Sequence, residues 1–243
     1  MCRSDTYLLL NNPGRVGSKA MCGRFSLLAS FDDLREFFQV EDGFNPEPRY
    51  NIAPSQEIAV VRLQEGQRRL VPLRWGLLPF WADDPKIDYR TINARSETVH
   101  KAPSFRAAFR SRRCLIPASG FYEWKKIQDG KQPYYIFRTD NKPMAFAGLW
   151  EHWESKEGKQ IIESCTILTT EASEPVSALH NRMPVILEPG DFDFWLDPAQ
   201  HDLALLQNLL NPAAPQVLSM YPVSRYVNKA GNEGHECIER VGA

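Results

Sequence analysis

Short apolar runs, enriched in β-branched and aromatic residues and separated by turn-forming residues, make up most of the chain. The runs are EIAVVRL, RLVPLRWGLLPF, CLIPASGFYEW, PYYIFRT, MAFAGLW, ESCTILTT, ALHNRMPVIL and MYPVSRYV. Segments of this kind are typical of strands, and the pairs Asp129-Gly130 and Glu157-Gly158 lie where hairpin turns are expected. The pattern predicts a mainly antiparallel sheet that is curled or barrel-like.

Two segments have helical periodicity instead. The first is FDDLREFF, which is preceded by Ser30. Asp33 comes three residues after Ser30, a spacing that is a variant of the capping box. The segment AQHDLALLQNLL places Leu203, Leu206 and Leu210 on one helix face. Since the chain has no internal repeat and no long linker, we predict a single α+β domain with peripheral helices.

We predict that this domain covers residues 21–243, after an N-terminal extension. Residues 1–20 mix charges, Asn, Pro and Gly without periodicity, and we interpret them as a tail or a mis-assigned start. The apolar run Tyr7–Leu10 is too short for a signal-peptide core, and no run approaches the roughly 18 apolar residues of a membrane-spanning helix. These features predict a cytoplasmic protein, nucleoid-associated if bacterial, with no membrane partner.

The cysteines are odd in number and widely spaced, without any C-x-x-C pair. They are Cys2, Cys22, Cys114, Cys165 and Cys237. This spacing favours neither a disulfide framework nor a zinc site. We therefore expect a reducing compartment, no metal and no other cofactor.

The charge of the chain is balanced overall and uneven locally. The formal net charge is -1, yet residues 86–126 carry ten Lys and Arg against three carboxylates. Trp75, Phe80 and Trp81 come just before this basic stretch, and aromatic faces beside cations are what single-stranded DNA binding uses. A solvated basic face, and a core position for at least one of the tryptophans, remain alternatives.

Cys22 could carry unusual chemistry if it becomes the first residue of the mature chain. It would then hold an α-amine and a thiol on adjacent carbons. Because the pKa of an α-amine is near 7.7 to 8.0, against about 10.4 for a Lys amine, a substantial fraction is nucleophilic at neutral pH. The amine can form an imine with an aldehyde, and the thiol can close it to a thiazolidine. The alternative for a lone Cys is a small buried apolar side chain.

Polar residues also interrupt the strand-like runs. They are Asn93 and Arg95 in TINARSE, Glu123 in SGFYEW, and His180, Asn181 and Arg182 in ALHNRMPVIL. A carboxylate among aromatic residues loses hydration, which favours its protonated form and suits a proton shuttle near neutrality. Each of these residues could instead be a satisfied core polar group or half of an ion pair.

Six ordered blocks of the chain resemble the SRAP family of SOS response-associated peptidases, or abasic-site-processing proteins. They are MCGRF at 21–25, RYNIAP at 49–54, RWGLLPFWA at 74–82, INARSET at 92–98, CLIPASGFYEW at 114–124 and LHNRMPVIL at 179–187. The resemblance extends from Met21 to about Val227. It implies a sensor of abasic sites in single-stranded DNA that forms a covalent thiazolidine crosslink through an N-terminal cysteine and protects the lesion during the DNA damage response.

The resemblance also implies which residues act. Cys22, Asn93, Glu123 and His180 match the family's catalytic positions. The positions that match DNA contacts are Arg24, Asn51, Pro54, Trp81, Arg95, Thr169 and Arg182. On this interpretation the protein is a monomer whose partner is single-stranded DNA containing abasic sites, and its activity includes crosslinking with autopeptidase (hydrolase) and lyase-like chemistry.

The extension conflicts with this chemistry as the chain is numbered, because an internal Cys22 has an amide nitrogen that cannot form an imine. Either Met21 is the initiator or residues before Cys22 are cleaved off. Two other functions remain open. One is a cysteine peptidase that uses Cys22 and His180. The other is a noncovalent single-strand binding module that uses Trp81 and the basic stretch.

Overall fold

The computed structural model describes residues 23–85 and 89–242, and thirteen strands and four α-helices lie within these ranges. The strands are β1 (Phe25–Leu27), β2 (Arg49–Ile52), β3 (Glu57–Gln64), β4 (Gln67–Trp75), β5 (Asn93–Arg95), β6 (Arg113–Ala118), β7 (Gly120–Ile127), β8 (Gly130–Arg138), β9 (Met144–Glu154), β10 (Ile161–Glu171), β11 (Arg182–Pro184), β12 (Ile186–Leu187) and β13 (Leu218–Pro222). The helices are α1 (Phe31–Phe38), α2 (Arg106–Ser111), α3 (Phe192–Leu196) and α4 (Leu203–Asn208).

Five of the strands close into a barrel. Around the ring the order is β4, β3, β6, β9 and β10, and β10 pairs with β4 in parallel and with β9 in antiparallel orientation. Strands β5 and β11 extend the ring beside β10, and β12 pairs with β9. Barrel closure removes the free edges of the sheet. The prediction of an α+β, barrel-like and mainly antiparallel fold is confirmed.

A second, five-stranded sheet packs against the barrel, with the strand order β13, β8, β7, β1, β2. Strands β7 and β8 form the hairpin predicted at Asp129-Gly130. Phe25 and Phe121, which are opposite each other in β1 and β7, both pack edge-on against Phe146 of β9. The core therefore lies between the two sheets and within the barrel.

Both predicted helices are present. Helix α1 begins after Ser30, whose side chain accepts from the Asp33 backbone while the Asp33 carboxylate accepts from the Ser30 backbone, so the capping box is confirmed. Helix α4 is shorter than its pattern, because Asp202 caps it at Leu203. Leu206 is fully buried on its inner face.

Three strand predictions run too far. Strand β4 ends at Trp75, because Gly76 turns the chain with a φ of 127° that suits only glycine. Ala178 lies in the 3₁₀ helix Val176–Ala178 and not in a strand. The end of MYPVSRYV forms the 3₁₀ helix Arg225–Asn228, capped by Ser224.

The basic stretch is not one exposed face. Trp75, which precedes it, is fully buried in the core. Arg113 is also buried, and its guanidinium donates to backbone carbonyls, including that of Trp195 at 2.6 Å. Burial lowers the pKa of Arg113 to about 10. Arg95 and Lys101, in contrast, are exposed.

The structure describes three cysteines, Cys114, Cys165 and Cys237, which are free and buried. Burial raises the pKa of the Cys237 thiol to about 11. Cys2, Cys22 and the predicted extension, residues 1–20, lie outside the described residues. In the part of the chain that is described, none of the helices has the length and apolar character needed to cross a membrane.

Candidate active site

Strand β1 determines where the chain enters the fold. It lies between β2 and β7, antiparallel to both, with Phe25 opposite Phe121. The buried Phe25 ring also packs edge-on against Trp75, with ring centroids 5.3 Å apart. These contacts hold β1 in register, and Gly23, two residues before Phe25, is half-buried. Cys22, the predicted nucleophile, lies outside the described residues.

Glu123 lies on the side of β7 that faces the barrel. Phe25 of β1 pairs with Phe121 of β7 in antiparallel orientation. If this register is continued by two residues, towards the N-terminus from β1 and along β7, Glu123 comes opposite Gly23. Directly opposite residues point to the same face, so Glu123 shares the face of Phe25. Only 4% of Glu123 is exposed. The predicted carboxylate is therefore buried, and the continued register brings it beside the residue that follows Cys22.

Trp75 connects the start of β1 to Asn93. Its indole Nε1 donates to the Ile92 carbonyl at 2.8 Å, while its ring packs on Phe25. Asn93 is the next residue and begins β5, where it pairs with Ile167 of β10. Because a buried indole N–H requires such a partner, the bond fixes β5 relative to β1. One buried side chain thus holds both the chain entry and the predicted asparagine.

His180 lies two residues before β11, which pairs with the other edge of β10. Its Nδ1 accepts a hydrogen bond of 3.1 Å from the backbone N–H of Arg182. A neutral imidazole that accepts through Nδ1 carries its proton on Nε2. Strands β5 and β11 both pair with Thr169 of β10, so the strand of Asn93 and the strand after His180 flank the same segment.

Arg182 forms an ion pair that ties these strands together. Both of its Nη atoms donate to the Glu97 carboxylate, with 2.9 Å between Nη2 and Oε2, and Nη2 also donates to the Thr169 carbonyl at 2.6 Å. The hydrogen bonds from Arg182 lower the pKa of Glu97, although its partial burial opposes this. Sequence reasoning missed Glu97, and its place in the INARSET block was the available signal.

Arg24 immediately precedes β1, and its side chain contacts β2 and the segment near the C-terminus. Its Nη1 donates to Asn51 Oδ1 at 2.7 Å and to the Val227 carbonyl at 2.9 Å. The buried Asn51 amide nitrogen lies 2.9 to 3.2 Å from the carbonyls of Val227, Lys229 and Asn232. Partial burial lowers the pKa of the Arg24 guanidinium. We call residues 227–232 the C-terminal loop, a contact of Arg24 that sequence reasoning also missed.

The remaining predicted DNA contacts differ in exposure. Trp81 is 54% exposed in the segment that follows β4, and Arg95 is exposed at the end of β5. Pro54 is half-buried in the loop after β2. Thr169 and Asn51 are fully buried, so their side chains contact protein.

Two groups of predicted residues therefore form. Around β10 the structure brings together Asn93, Arg95, Thr169, His180 and Arg182, whereas Arg24, Asn51 and Glu123 belong to the five-stranded sheet. Trp75 links the two groups. Among the described residues, His, Cys, Asp and Glu side chains do not cluster in threes that could hold a metal ion.

Comparisons with known proteins give a consistent result. The model of the family SOS response associated peptidase (SRAP) matches residues 21–230. The abasic site processing protein YoqW of Bacillus subtilis is 45% identical over 224 residues, which is 90% of this chain and 99% of YoqW. YoaM of the same organism, also an abasic site processing protein, is 42% identical over 223 residues, 90% of this chain and 98% of YoaM. A crystal structure from Bacteroides thetaiotaomicron shares the fold with a TM-score of 0.79 at 24% identity, over 90% of this chain and 100% of that one.

Proposed function

Because the chain belongs to the SRAP family, we propose that it processes abasic sites in DNA, and that it captures the opened sugar covalently through Cys22 on single-stranded DNA. The names of YoqW and YoaM support abasic-site processing. The observation that carries the covalent step is the burial of Glu123 on β7, in a register with β1 that, continued by two residues, reaches Gly23 next to Cys22.

The capture requires Cys22 to be the first residue of the mature chain. Its α-amine attacks the C1′ aldehyde of the open sugar, and loss of one water gives an imine. The Cys22 sulfur then adds to the same carbon, and its proton passes to nitrogen, which closes a thiazolidine. The family match that begins at residue 21 supports a mature start at Cys22, reached by initiation at Met21 or by cleavage of the preceding residues.

The surrounding side chains supply proton transfer. Glu123 accepts a proton from the Cys22 α-ammonium and returns it to the departing hydroxyl. His180, which carries its proton on Nε2, assists opening of the closed sugar. Asn93 holds the sugar by hydrogen bonds. Ring closure removes the cationic imine that promotes strand cleavage, so the strand stays intact.

Exposed residues near this site bind the strand. Arg95 pairs with phosphate, and Trp81 offers an aromatic face for a base. The buried side chain of Asn51 and the backbone carbonyl of Thr169 act indirectly, because they position Arg24 and Arg182. Since phosphate contacts carry no sequence information, binding is expected to be sequence-tolerant and to weaken as salt increases.

Cys22→Ala tests the nucleophile. Incubation of the purified protein with an abasic oligonucleotide is expected to give a species of protein plus DNA minus one water, which survives a denaturing gel. Cys22→Ala should abolish it, and Cys22→Ser should leave at most a hydrolysable imine. Cys114→Ala, in the barrel, is the matched control and should retain it. A stable adduct with Cys22→Ala, or with a protein whose intact mass includes residues before Cys22, contradicts the proposal.

Glu123→Gln tests the proton transfer. The amide keeps the size of the side chain and cannot exchange the proton, so single-turnover capture should slow by about 10² to 10⁴. Glu154→Gln, an exposed strand residue, should capture at the normal rate. A normal rate in Glu123→Gln removes this residue from the mechanism.

The peptidase alternative makes a different demand on the chain. A Cys22 thiolate with His180 as base needs no free α-amine, whereas aldehyde capture does. Intact mass and N-terminal sequencing of the reacting protein separate the two. Binding that is fully reversed by denaturant would instead favour the noncovalent single-strand module.

A further inference from the structure

Arg182 holds a carboxylate in the geometry with which arginine binds a phosphate. Its two Nη atoms face the two oxygens of Glu97, and such a paired fork matches carboxylate and phosphate equally well. The guanidinium is also nearly enclosed, because its side chain is only 10% exposed. Both Nη atoms are occupied by Glu97 and Thr169, and the Nε–H, which has no partner among the described residues, is buried, so a DNA phosphate cannot reach the guanidinium while Glu97 is in place.

We propose that Glu97 occupies the phosphate-binding position of Arg182 in the free protein and that a phosphate of single-stranded DNA must displace it. The inference rests on the proposed function, since it assigns regulation to the same DNA-binding site. Glu97 is thus an internal competitor for the strand.

The two partners differ in how easily they can move. The Glu97 side chain is 47% exposed, so it can turn into water when it leaves the guanidinium. Arg182 is anchored by its bond to the Thr169 carbonyl, which also accepts from the backbone N–H of Ser96 at 2.9 Å. The arginine therefore stays in place and the anions exchange.

The competition persists at neutral pH. The bonds from Arg182 and the nearby charge of Arg95 lower the pKa of Glu97, so its carboxylate stays ionised. Undamaged DNA must repeatedly replace an anion that is already well bound. Undamaged DNA therefore stays bound to the protein for a shorter time, whereas a strand captured at Cys22 remains attached.

The test is equilibrium binding of a fluorescein-labelled oligothymidylate without abasic sites, measured by anisotropy. The protein is the full chain with Cys22→Ala, so no capture step contributes. Adding Glu97→Gln is expected to tighten binding about fivefold at low salt, as expected for loss of a partly exposed ion pair.

Two comparisons separate competition from a general charge effect. Glu171 lies directly opposite Arg182 across β10 and β11, and Glu171→Gln removes the same charge without touching the Arg182 fork. Its gain in affinity should stay clearly below that of Glu97→Gln, because it does not occupy the Arg182 fork. In an Arg182→Gln background, Glu97→Gln should have no further effect on affinity. Thermal unfolding of every variant establishes that it is folded.

The proposal is overturned if Glu97→Gln leaves affinity unchanged or weakens it, which would make Glu97 a positioning residue for Arg182. An equal gain from Glu171→Gln, or a gain that persists without Arg182, overturns it too. These results would leave covalent capture by the Cys22 protein untouched. If no variant binds the strand, the proposed function fails together with this inference.

Discussion

At the scale of single residues, buried polar groups position other functional side chains. Asn51 accepts from Arg24 and binds the C-terminal loop, while the Thr169 carbonyl accepts from Arg182. Such groups are stabilising only while every partner is present, because an unsatisfied buried donor or acceptor costs more than a hydrogen bond provides. Buried residues can therefore decide how Arg24 and Arg182, the proposed DNA contacts, are oriented.

Asn51→Ala is the prediction at this scale. It removes an acceptor from Arg24 and leaves the carbonyls of the C-terminal loop without their shared donor. We expect the free energy of unfolding to fall by roughly 2 to 3 kcal/mol, measured by urea denaturation. Proteolysis of the loop should accelerate. Asn45→Ala, at an exposed position, is the control, and an equal loss there would contradict the specific role of Asn51.

At the scale of elements, short segments are defined by their ends and by a few packed side chains. Strand β1 has only 3 residues, and packing of Phe25 on Trp75 and Phe146 holds it. Helix α1 has 8 residues, which is too short to be stable alone. Its capping box and the burial of Leu34 and Phe38 together make it form.

Ser30→Ala tests the helix cap. The substitution leaves the Asp33 backbone N–H without its acceptor, and we expect a loss of about 1 kcal/mol in the free energy of unfolding. Ser30→Gly should lower the free energy of unfolding by only about a few tenths of a kcal/mol, because glycine leaves the helix end open to water. Chemical denaturation of the two variants side by side provides the measurement. Equal stability of Ser30→Ala and the parent would show that the cap contributes nothing.

At the scale of the whole molecule, ion pairs join the two sheets. Arg138 at the end of β8 donates to both oxygens of Asp140 at 2.9 Å and to Glu188, which follows β12, at 2.8 Å. The hydrogen bonds from Arg138 lower the pKa of Asp140 to about 2. The Arg138 guanidinium thus connects the five-stranded sheet to the residue after β12, the strand that pairs with β9 of the barrel.

This network predicts acid sensitivity. The pKa of Asp140 in the folded state lies below the roughly 3.9 of an unfolded Asp, so its stabilising effect is complete above about pH 4 and is lost as pH falls towards 2. The Asp140 side chain is 41% exposed, so solvent screening limits the effect to about 1 kcal/mol. Asp140→Asn should flatten this part of the stability profile, followed by circular dichroism. Asp129→Asn, at an exposed turn, should leave the profile unchanged, and the same flattening there would contradict the assignment.

Local patterns were enough to identify most of the strands, helix α1 with its cap, the two hairpins and the family. These features depend on neighbouring residues, since alternation, capping and turn chemistry act over a few positions. The same patterns predicted strands that were too long at Gly76, where a turn ends β4, and at Ser224, which caps a 3₁₀ helix. They also could not distinguish the buried Trp75 from the exposed Trp81.

Only the tertiary structure decided which distant residues meet. Closure of the barrel by β9 and β10, the pairing of Phe25 with Phe121 two residues before Glu123, and the pairing of Arg182 with Glu97 join segments far apart in the chain. A buried carboxylate or guanidinium needs a partner, and this follows from the residue type alone. Which residue becomes the partner is decided by strand register and packing. The residue types of the candidate site can thus be identified from the chain alone, whereas its geometry depends on how the two sheets pack.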